Sequence, residues 1–590
     1  TRHFPTDFID RLLASFDNLD EITDGLLVHS ENWQALNLLR EKYRECIQCI
    51  HIDPPYNTQT SGFLYKNNYK HSSWLAMMES HLFIVRNLIS EKGHLLCHID
   101  ENEYERLNIF MDTLGIADAG TVIWDKRNPM TAGRGIATQH EYIIWRSWVD
   151  DSIYQRNTNI MEMLATAKTI IDKHGGVSTE AREEYANWIR ENTKLTGGEK
   201  AYRYLDEKGR IYQSVSLRAP EPRTNPKFFE PLIHPVTKKP CAIPPNGFSR
   251  TPETLKLMIT RGEILFGEDE TTQPRQKRFL TGESRMQARS IIQDAKKGKA
   301  DLDVLGLNFP YCHPVSLYKE LVAATTMSGK GIVSDYFAGS GTTGHAVINL
   351  NREDGGRRKF ILVEMAQYFD TVMLPRLKKI TFSSEWKDGR PVRLATPEEA
   401  ERSPRLIKVI RLESYEDALN NIAFDEPSGQ QVLQFEDYLL QYMLHWETRN
   451  CETLLNVGKL TRPFSYQLSN HRDLTAGRIN GEAPVKNVDL PETFAYLMGL
   501  FVEKRQVLSD NGRRYLVYKG TTRQGRRTVV IWREIEGWTA KDFKRDRDFV
   551  AGNKLTRGMD DIYVNGDSSI PGAQALEKPF KEKMFAPVEV

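Results

Sequence analysis

The chain has 590 residues, and 80 lysines and arginines against 79 aspartates and glutamates leave a formal net charge of only +1. This length predicts about three or four domains, and the near-neutral charge means that any nucleic-acid surface must be local. No apolar run approaches the roughly 20 residues of a membrane span, so a membrane protein or a membrane partner is excluded. Six cysteines exclude a disulfide scaffold and favour a cytoplasmic protein with reduced thiols.

Short apolar runs alternate with helical patterns through the first 150 residues. In chain order the pattern predicts a strand at 26–29, a helix at 32–39, a strand at 46–52, a helix at 74–92 and a strand at 95–99. Gly93 is expected to end the second helix. The runs 121–124 and 142–145 predict a final antiparallel pair. Alternation at this pace is typical of a parallel α/β sheet.

The first candidate motif is Asp53-Pro54-Pro55-Tyr56, which follows the predicted strand at 46–52. The two prolines stop both helix and sheet, and they donate no N–H, so carbonyl acceptors are expected to be free at the strand end. A carboxylate, a free carbonyl and an aromatic ring within four residues could hold an exocyclic amine beside a stacked base. The alternative is a proline-rich turn in which Asp53 only caps the chain.

Cys46 and Cys49 form a C-x-x-C inside the same predicted strand. The sequence has no second pair at a spacing typical of zinc sites. Plain thiols are therefore expected here, and no metal site is predicted.

The α/β alternation stops near residue 150 and resumes near 303, which predicts domains at 1–150, 151–302, 303–394 and 395–590. Segment 151–302 concentrates basic residues, among them Arg275, Lys277, Arg278, Arg285, Arg289, Lys296, Lys297 and Lys299. Clustered cations in a neutral chain favour phosphate contacts, although a solvated helix face is the simpler alternative.

The section after 395 shows no catalytic constellation. Its helical face at 432–446, capped helix start at Asp489 and hairpin at 515–532 predict a small α+β domain.

The second candidate motif is Gly339-Ser340-Gly341-Thr342-Thr343-Gly344, a G-x-G-x-x-G between a predicted strand and a predicted helix. Glu364 ends the next predicted strand about 20 residues on, which completes the dinucleotide fingerprint. Glycines admit a ligand close to the backbone, helix N–H groups meet a negative group, and the acid binds ribose hydroxyls. S-adenosylmethionine has a ribose and a carboxylate, so the loop predicts an adenosine cofactor without selecting NAD.

Together the two motifs resemble those of the amino-methyltransferases of DNA, because Asp53-Pro54-Pro55-Tyr56 is followed far downstream by the stretch from Asp335 to Gly341. This order resembles their beta class, in which a target-recognition insert separates the motifs. Wider stretches resemble the modification (Mod) subunit of type III restriction-modification systems, namely 53–58, 63–69, 412–421 and 490–494. His313-Pro314 departs from the pattern, since relatives often carry Lys-Pro there, and the role of His313 is left open.

The resemblance implies an α/β, Rossmann-like S-adenosylmethionine-dependent methyltransferase fold, mostly parallel, with a target-recognition insert at 151–302 and a C-terminal α+β domain for assembly or DNA contact. It implies methylation of adenine N6, since cytosine-N4 enzymes more often carry Ser at the position of Asp53. Asp53 and the Pro54 carbonyl would accept the amine hydrogens, with Pro55 completing the motif, and Tyr56 would stack on the flipped base. The residues expected to bind the cofactor are Asp335, Phe337, Gly339, Ser340, Gly341, Thr342 and Glu364.

The partner expected from the resemblance is double-stranded DNA. A homodimer and a separate restriction subunit with helicase and nuclease activity are compatible with it, since no helicase loop or nuclease centre is visible in this chain. Four alternatives stay open: a cytosine-N4 methyltransferase, an NAD-linked oxidoreductase suggested by the glycine loop alone, a catalytically silent scaffold that reads DNA, and methylation of RNA or protein.

Overall fold

The computed structural model describes residues 4–58, 69–127, 136–148, 152–281, 285–295, 297–413, 460–469 and 485–584. The chain divides into two compact units, Thr1–Ile153 with Ala288–Val590, and Tyr154–Gln287. Within the described ranges, none of the helices is both long and apolar enough to cross a membrane.

The helices of the described ranges are α1 (Thr6–Ser15), α2 (Leu19–Ile22), α3 (Asn32–Tyr43), α4 (His71–Leu88), α5 (Tyr104–Thr113), α6 (Thr158–Lys173), α7 (Thr179–Glu191), α8 (Gly197–Lys200), α9 (Pro252–Thr260), α10 (Gly298–Asp303), α11 (Val315–Thr325), α12 (Thr342–Asp354), α13 (Leu374–Phe382), α14 (Pro397–Glu401), α15 (Leu490–Leu497), α16 (Ala540–Gly552) and α17 (Glu577–Met584).

The strands of the described ranges are β1 (Thr23–His29), β2 (Ile47–Ile52), β3 (Ile89–Ile99), β4 (Ala117–Asp125), β5 (His140–Ser147), β6 (Tyr154–Arg156), β7 (Tyr204–Leu205), β8 (Ile211–Ser216), β9 (Ile264–Leu265), β10 (Arg275–Phe279), β11 (Arg285–Gln287), β12 (Ile291–Gln293), β13 (Lys330–Asp335), β14 (Arg357–Glu364), β15 (Trp386–Lys387), β16 (Arg390–Pro391), β17 (Leu406–Arg411), β18 (Gln467–Ser469), β19 (Val485–Asn487), β20 (Leu500–Asp510), β21 (Arg513–Thr522), β22 (Arg527–Arg533), β23 (Asp561–Val564) and β24 (Ala573–Ala575).

The centre of the first unit is a nine-stranded sheet in the order β12-β4-β5-β3-β2-β13-β14-β1-β17. Within it only β5 runs against its neighbours, since it pairs antiparallel with β3 and with β4. Apolar residues cover both faces: α11, α12 and α13 contribute to one hydrophobic cluster, and α3, α4 and α5 to another. Burial on both faces is what a mostly parallel sheet requires. The predicted α/β Rossmann-like fold and its final antiparallel pair are confirmed.

The two motif-bearing strands are direct neighbours in this sheet. Strand β13 pairs in parallel with β2, with Val333 opposite Cys49 and Ser334 opposite Ile50, and it pairs on its other side with β14. Because parallel strands end at the same edge, the residues that follow β2, β13 and β14 meet there. The topology thus brings together two motifs that lie far apart in the sequence.

The prediction that Gly93 ends the second helix is wrong. Helix α4 ends at Leu88, and β3 begins at Ile89 and runs through Gly93. The pairing of β2 with β3 shifts register between Ile47 and Cys49, so that Cys49 faces His94. Gly93 lies inside this irregularity, where a Cβ atom would approach the Ile47 carbonyl oxygen to 3.0 Å. The glycine therefore marks a bulge and not a helix terminus.

The C-terminal section contains a five-stranded sheet, β20-β21-β22-β23-β24, with helices, as expected for an α+β arrangement. Strands β21 and β22 form the predicted hairpin, and Asp489 caps α15 by accepting a 3.1 Å bond from the Glu492 amide. Helix α1 packs on this sheet, and its Asp10 pairs with Arg505 of β20 at 2.7 Å. The helical face predicted at 432–446 lies outside the described residues.

The second unit, Tyr154–Gln287, has its own four-stranded sheet, β7-β8-β10-β9, and its own hydrophobic core. It lies inside the predicted insert at 151–302. In the first unit, the Ala288 amide donates a 2.8 Å hydrogen bond to the Ile153 carbonyl, so the points where the chain leaves and re-enters that unit are adjacent. The assignment of 151–302 to target recognition stays a prediction.

Candidate active site at the carboxyl edge of the sheet

The Asp53-Pro54-Pro55-Tyr56 motif follows the end of β2 as irregular chain. The indole nitrogen of Trp74 in α4 donates a 2.8 Å hydrogen bond to the Pro55 carbonyl and anchors the segment. The buried Pro54 offers a carbonyl that accepts no hydrogen bond from any residue the structure describes. The Asp53 side chain is 33% exposed. An acceptor carbonyl and a carboxylate are thus available side by side, as the sequence predicts.

Asn57 turns the chain directly after the motif. Its backbone adopts the left-handed conformation with φ of 59°, which asparagine tolerates better than most residues. Its side chain accepts from the Tyr69 amide at 2.6 Å and donates to the Tyr69 carbonyl at 3.0 Å and to the buried Glu103 at 2.6 Å. These bonds fix the direction in which the segment leaves the site.

Five charged or hydroxylated side chains meet beside the motif, and we call Asp53, Tyr56, Lys126, Glu141 and His313 the carboxylate cluster. Glu141 accepts hydrogen bonds from the Tyr56 hydroxyl at 2.9 Å and from the Lys126 ammonium at 2.7 Å. His313 Nε2 lies 3.2 Å from Glu141, and its Nδ1 lies 3.5 Å from Asp53. The two carboxylates are therefore linked through one imidazole ring.

The charges in this cluster depend on one another. Burial alone would lower the pKa of His313, but Asp53 and Glu141 outweigh it and raise that pKa to about 9. Burial likewise works to raise the pKa of Glu141, but bonding and charge from His313 and Lys126 bring it down to about 2. Burial raises the pKa of Asp53, while His313 opposes the rise and Glu141 adds to it. At neutral pH, His313 is an imidazolium and Glu141 a carboxylate.

Two further histidines lie beneath His313. The Nε2 atoms of His51 and His98 are 2.7 Å apart, and burial lowers the pKa of His51 to about 3 and that of His98 well below its ordinary value, so both are neutral. Ligand atoms of His98, Glu141 and His313 lie within 4.8 Å of one another, a spacing that could hold a metal ion. His98 Nε2 is already bonded to His51 and Glu141 forms an ion pair with His313, whereas the buried His98 Nδ1 has no partner among the described residues. The absence of a metal stays a prediction.

The glycine loop joins β13 to α12 and is braced by Asp335. The Asp335 carboxylate accepts from the Phe337 amide at 3.0 Å and from the Thr343 hydroxyl at 2.5 Å. Gly341 has a φ of 84°, and a Cβ atom there would lie 2.9 Å from Met373. At Gly339, with φ of 54°, the nearest heavy atom to a Cβ would be 3.9 Å away. The loop is tight towards the core and open on its other side, where a ligand could approach the backbone.

Glu364 at the end of β14 holds the same loop from its neighbouring strand. It accepts from the Gly339 amide at 2.9 Å and from the Ala366 amide at 2.8 Å. Burial raises the pKa of Asp335 to about 7 against its hydrogen bonds from Thr343 and Phe337. An open glycine, an α12 N-terminus and two strand-end carboxylates fit an adenosine cofactor with an anionic group. The assignment of individual cofactor-binding residues stays a prediction.

Sequence reasoning did not find Arg376, a fully buried residue of α13. Its guanidinium donates to the Ser340 hydroxyl at 2.7 Å, to the Thr342 hydroxyl at 3.1 Å and to His345 at 3.2 Å. Burial lowers its pKa to about 10, so it is charged at neutral pH. Arg376 therefore fixes the glycine loop although it belongs to neither motif. No local sequence signal distinguishes this arginine from others.

An α/β domain with an acidic motif before two prolines and a glycine loop at adjoining strand ends has the layout of a Rossmann-like enzyme with an adenosine cofactor. A family model described as DNA methylase matches residues 47–373, which is more than half of the chain. The chain belongs to this DNA methylase family. The sequence-based identification of the family is thereby confirmed.

Two Mod subunits of type III restriction-modification enzymes are similar to about three-fifths of the chain. It is 28% identical over 388 residues to the Mod subunit of the type III restriction-modification enzyme EcoP15I from Escherichia coli, covering 58% of each. It is 25% identical over 385 residues to the StyLTI Mod subunit from Salmonella typhimurium, covering 58% of this chain and 52% of that one. The chain thus spans just over half the length of these relatives.

Among solved structures, the PvuII DNA methyltransferase (cytosine-N4-specific) matches with 12% identity and a TM-score of 0.31. The match covers 60% of this chain and 86% of that one.

Proposed function

We propose that this chain transfers a methyl group from S-adenosylmethionine to the N6 amine of an adenine flipped out of duplex DNA, within a restriction-modification or phage-defence system. The observation that carries the proposal is the parallel pairing of β2 with β13. It puts Asp53-Pro54-Pro55-Tyr56 and the glycine loop at one edge of the sheet. Membership of the DNA methylase family and the names of the two Mod relatives support it.

The motif residues hold and orient the amine. A paired amino group is inaccessible inside the duplex, so the base must first leave the stack. The Asp53 carboxylate and the Pro54 carbonyl then accept its two hydrogens, which turns the nitrogen lone pair towards the methyl donor. We assign this role to Pro54 and not to Pro55, because Trp74 already donates a hydrogen bond to the Pro55 carbonyl. The Tyr56 ring stacks on the base, while its hydroxyl is tied to Glu141.

S-adenosylmethionine, when bound, supplies an electrophilic methyl group on its sulfonium. Open space at Gly339 and the N-terminus of α12 receive the cofactor, and Glu364 binds the ribose. The residues assigned to cofactor binding are Asp335, Phe337, Gly339, Ser340, Gly341, Thr342 and Glu364. Positioning is the main catalytic contribution of the chain, and it can supply several kcal/mol of the barrier.

The remaining segments are assigned by the same proposal. Residues 1–150 and 303–394 form the catalytic domain, 151–302 reads the target sequence, and 395–590 serves assembly or further DNA contact. Two Mod relatives are named as subunits of restriction-modification enzymes, so a separate restriction subunit and a second copy of this chain are the proposed protein partners. A cytoplasmic location belongs to the same proposal and rests on the low cysteine content, which fits reduced thiols.

The test is methyl transfer from tritium-labelled S-adenosylmethionine to unmodified genomic DNA, followed by mass spectrometry of the digested nucleosides. We expect N6-methyladenine with the wild type and none with Asp53→Ala. N4-methylcytosine would overturn the adenine assignment, and label in RNA or protein alone would overturn the DNA substrate. An absorbance change with NADH and no transfer would favour an oxidoreductase. Long-read sequencing of the product DNA identifies the modified motif in the same experiment.

A further inference from the structure

His313 faces both carboxylates of the cluster. Its Nδ1 lies 3.5 Å from Asp53 Oδ2, and its Nε2 lies 3.2 Å from Glu141 Oε2. Neither sequence motif includes it, because it lies on the segment that precedes α11. Its contacts nevertheless reach the proposed amine acceptor directly.

We infer that His313 is a positioning residue for methyl transfer. It keeps the Asp53 carboxylate ionised, so that Asp53 can accept a hydrogen bond from the base amine, while Glu141 fixes the imidazole at its other nitrogen. The inference deepens the proposed function and rests on it.

The geometry favours the doubly protonated ring. A neutral imidazole has one N–H and one acceptor nitrogen, so one of its nitrogens would face a carboxylate oxygen lone pair to lone pair. With both nitrogens protonated, the cation lies within ion-pair distance of both carboxylates, 3.5 Å from Asp53 and 3.2 Å from Glu141. Nδ1 itself is hydrogen-bonded to the Tyr318 hydroxyl at 3.2 Å. The raised pKa of His313, about 9, agrees with this arrangement.

Packing keeps the ring in place. Only 12% of the His313 side chain is exposed. The ring lies edge-on to Trp124 with centroids 4.9 Å apart, and it packs over His98 with centroids 4.7 Å apart. A confined ring with Glu141 on one side can present its Nδ1 only towards Asp53 and Tyr318. The orientation of the cation is thus set by contacts that do not involve a substrate.

The effect on Asp53 follows from the charges around it. The titratable groups that face His313 are Asp53 after β2, His51 in β2, His98 in β3, Lys126 after β4, Glu141 in β5 and Tyr318 in α11. Burial and Glu141 both favour the protonated form of Asp53, and His313 is the largest opposing influence. A protonated Asp53 keeps only its carbonyl oxygen as a good acceptor and loses its negative charge, so it holds an amine hydrogen less strongly than the carboxylate does. Removal of the cation should therefore move the acid limb of the rate towards higher pH.

The test compares His313→Gln, His313→Lys and the control His94→Gln in single-turnover transfer of tritium from S-adenosylmethionine to unmodified genomic DNA between pH 6 and pH 9. His94 is a matched control, since it lies on β3, bonds Trp145 at 3.3 Å and has its pKa lowered to about 4 by burial. An opposite charge at this distance shifts a carboxyl pKa by about 1–3 units. We expect the acid limb of His313→Gln to move up by at least about one unit, with a rate at pH 7 reduced about tenfold or more and recovering at pH 9.

His313→Lys replaces the cation but not the shape of the ring, so we expect it to retain the wild-type acid limb and a rate within about threefold. This variant also decides the matter if His313→Gln does not fold, because a folded His313→Lys with no activity would overturn the inference. If the wild type is active and the pH–rate profile of His313→Gln is unchanged, the inference is overturned and the proposed function stands. No transfer to DNA by the wild type would overturn the proposed function, and the inference with it.

Discussion

The hydroxyl of Tyr56 donates a 2.9 Å hydrogen bond to Glu141, a carboxylate from the reversed strand of the central sheet. The bond joins the end of β2 to β5 across β3, which lies between them. It holds the aromatic ring by its polar end, while the ring packs against the hydrophobic cluster of that face of the sheet. The ring that is proposed to stack is therefore already oriented without DNA.

We predict that Tyr56→Ala impairs methylation far more than Tyr56→Phe. Stacking requires the ring, and a base–aromatic stack contributes roughly 1–3 kcal/mol, so the alanine variant should lose about tenfold to a hundredfold in kcat/KM. The phenylalanine variant loses only the bond that orients the ring. Steady-state methylation of unmodified DNA measures both, and equal damage from the two substitutions would point to a role for the hydroxyl and refute the stacking argument.

We predict that Asp53→Ala abolishes methylation and changes the affinity for S-adenosylmethionine by no more than a few-fold. Asp53 faces the proposed amine site, whereas Glu364 and the glycine loop lie on other strands and hold each other. Isothermal titration calorimetry measures the affinity of both variants, with Glu364→Ala as the counterpart that should lose cofactor binding. A loss of affinity by orders of magnitude in Asp53→Ala would show that the residue was misassigned.

The sequence predicted the strand-end residues because each follows an apolar run that can only be a buried strand. Asp53 follows β2 and Glu364 ends β14, as expected, whereas Asp335 ends a strand that was predicted to continue to Phe337. The neighbours of Asp53 were harder to predict, because they come from other parts of the chain. The register of β4 and β5 puts Trp124 opposite Glu141, so a diagonal contact of Lys126 with Glu141 could have been derived from the predicted antiparallel pair.

His313 and Arg376 could not be derived in this way. His313 lies on an irregular segment, where no periodicity fixes the direction of a side chain. Arg376 is a buried cation in a helix whose partners are the Ser340 and Thr342 hydroxyls and His345. Such contacts depend on tertiary packing, and a sequence pattern carries no information about them. The Gly93 prediction failed for the same reason, since the bulge is set by pairing with β2.

We predict that Gly341→Ala destabilises the protein and weakens cofactor binding. A side chain would be strained at a φ of 84°, and its Cβ would lie 2.9 Å from Met373. Strain of this kind costs about 1–3 kcal/mol. Differential scanning fluorimetry should show a lower Tm, whereas the control Gly552→Ala, with no heavy atom within 4 Å of its Cβ, should not lower the Tm and can raise it slightly, since alanine favours the helix. An unaltered Tm in both variants would mean that the loop relaxes freely.

We predict a pH-dependent penalty from Asp335 in the cofactor-free protein. Burial raises its pKa from 3.8 to about 7. A carboxyl that binds its proton more tightly when folded stabilises the protein at low pH, and this contribution is lost as the pH rises through about 7. In Asp335→Asn nothing titrates at this position. The Tm of the variant minus that of the wild type should therefore increase between pH 5 and pH 8, and a constant difference would contradict the raised pKa.

A further prediction concerns the unit Tyr154–Gln287, which we expect to read the target sequence. The adjacent ends of the first unit, joined by the bond from Ala288 to Ile153, make this unit exchangeable. Replacing it with the corresponding unit of a relative should change the methylated motif and keep the N6-adenine chemistry. Long-read sequencing of DNA from cells that express the chimera gives both results. If the original motif were still methylated, sequence reading would have to reside elsewhere, and the section after 395 would be the first candidate.

Charge substitutions separate sequence reading from general DNA affinity. Lys297 and Lys299 are exposed and belong to the predicted insert. Their neighbour Lys296 lies outside the described residues. Changing all three to glutamine should weaken binding to every DNA sequence and lower the slope of log K against log salt by up to about 0.9 per lost phosphate contact. The matched control changes the exposed Lys541, Lys544 and Lys554 of the C-terminal section. Counterion release depends only on which cations touch the DNA backbone. An equal loss of DNA affinity in both variants would therefore mean that both sections contact phosphates. A loss of affinity in the control alone would mean that the C-terminal section makes these contacts.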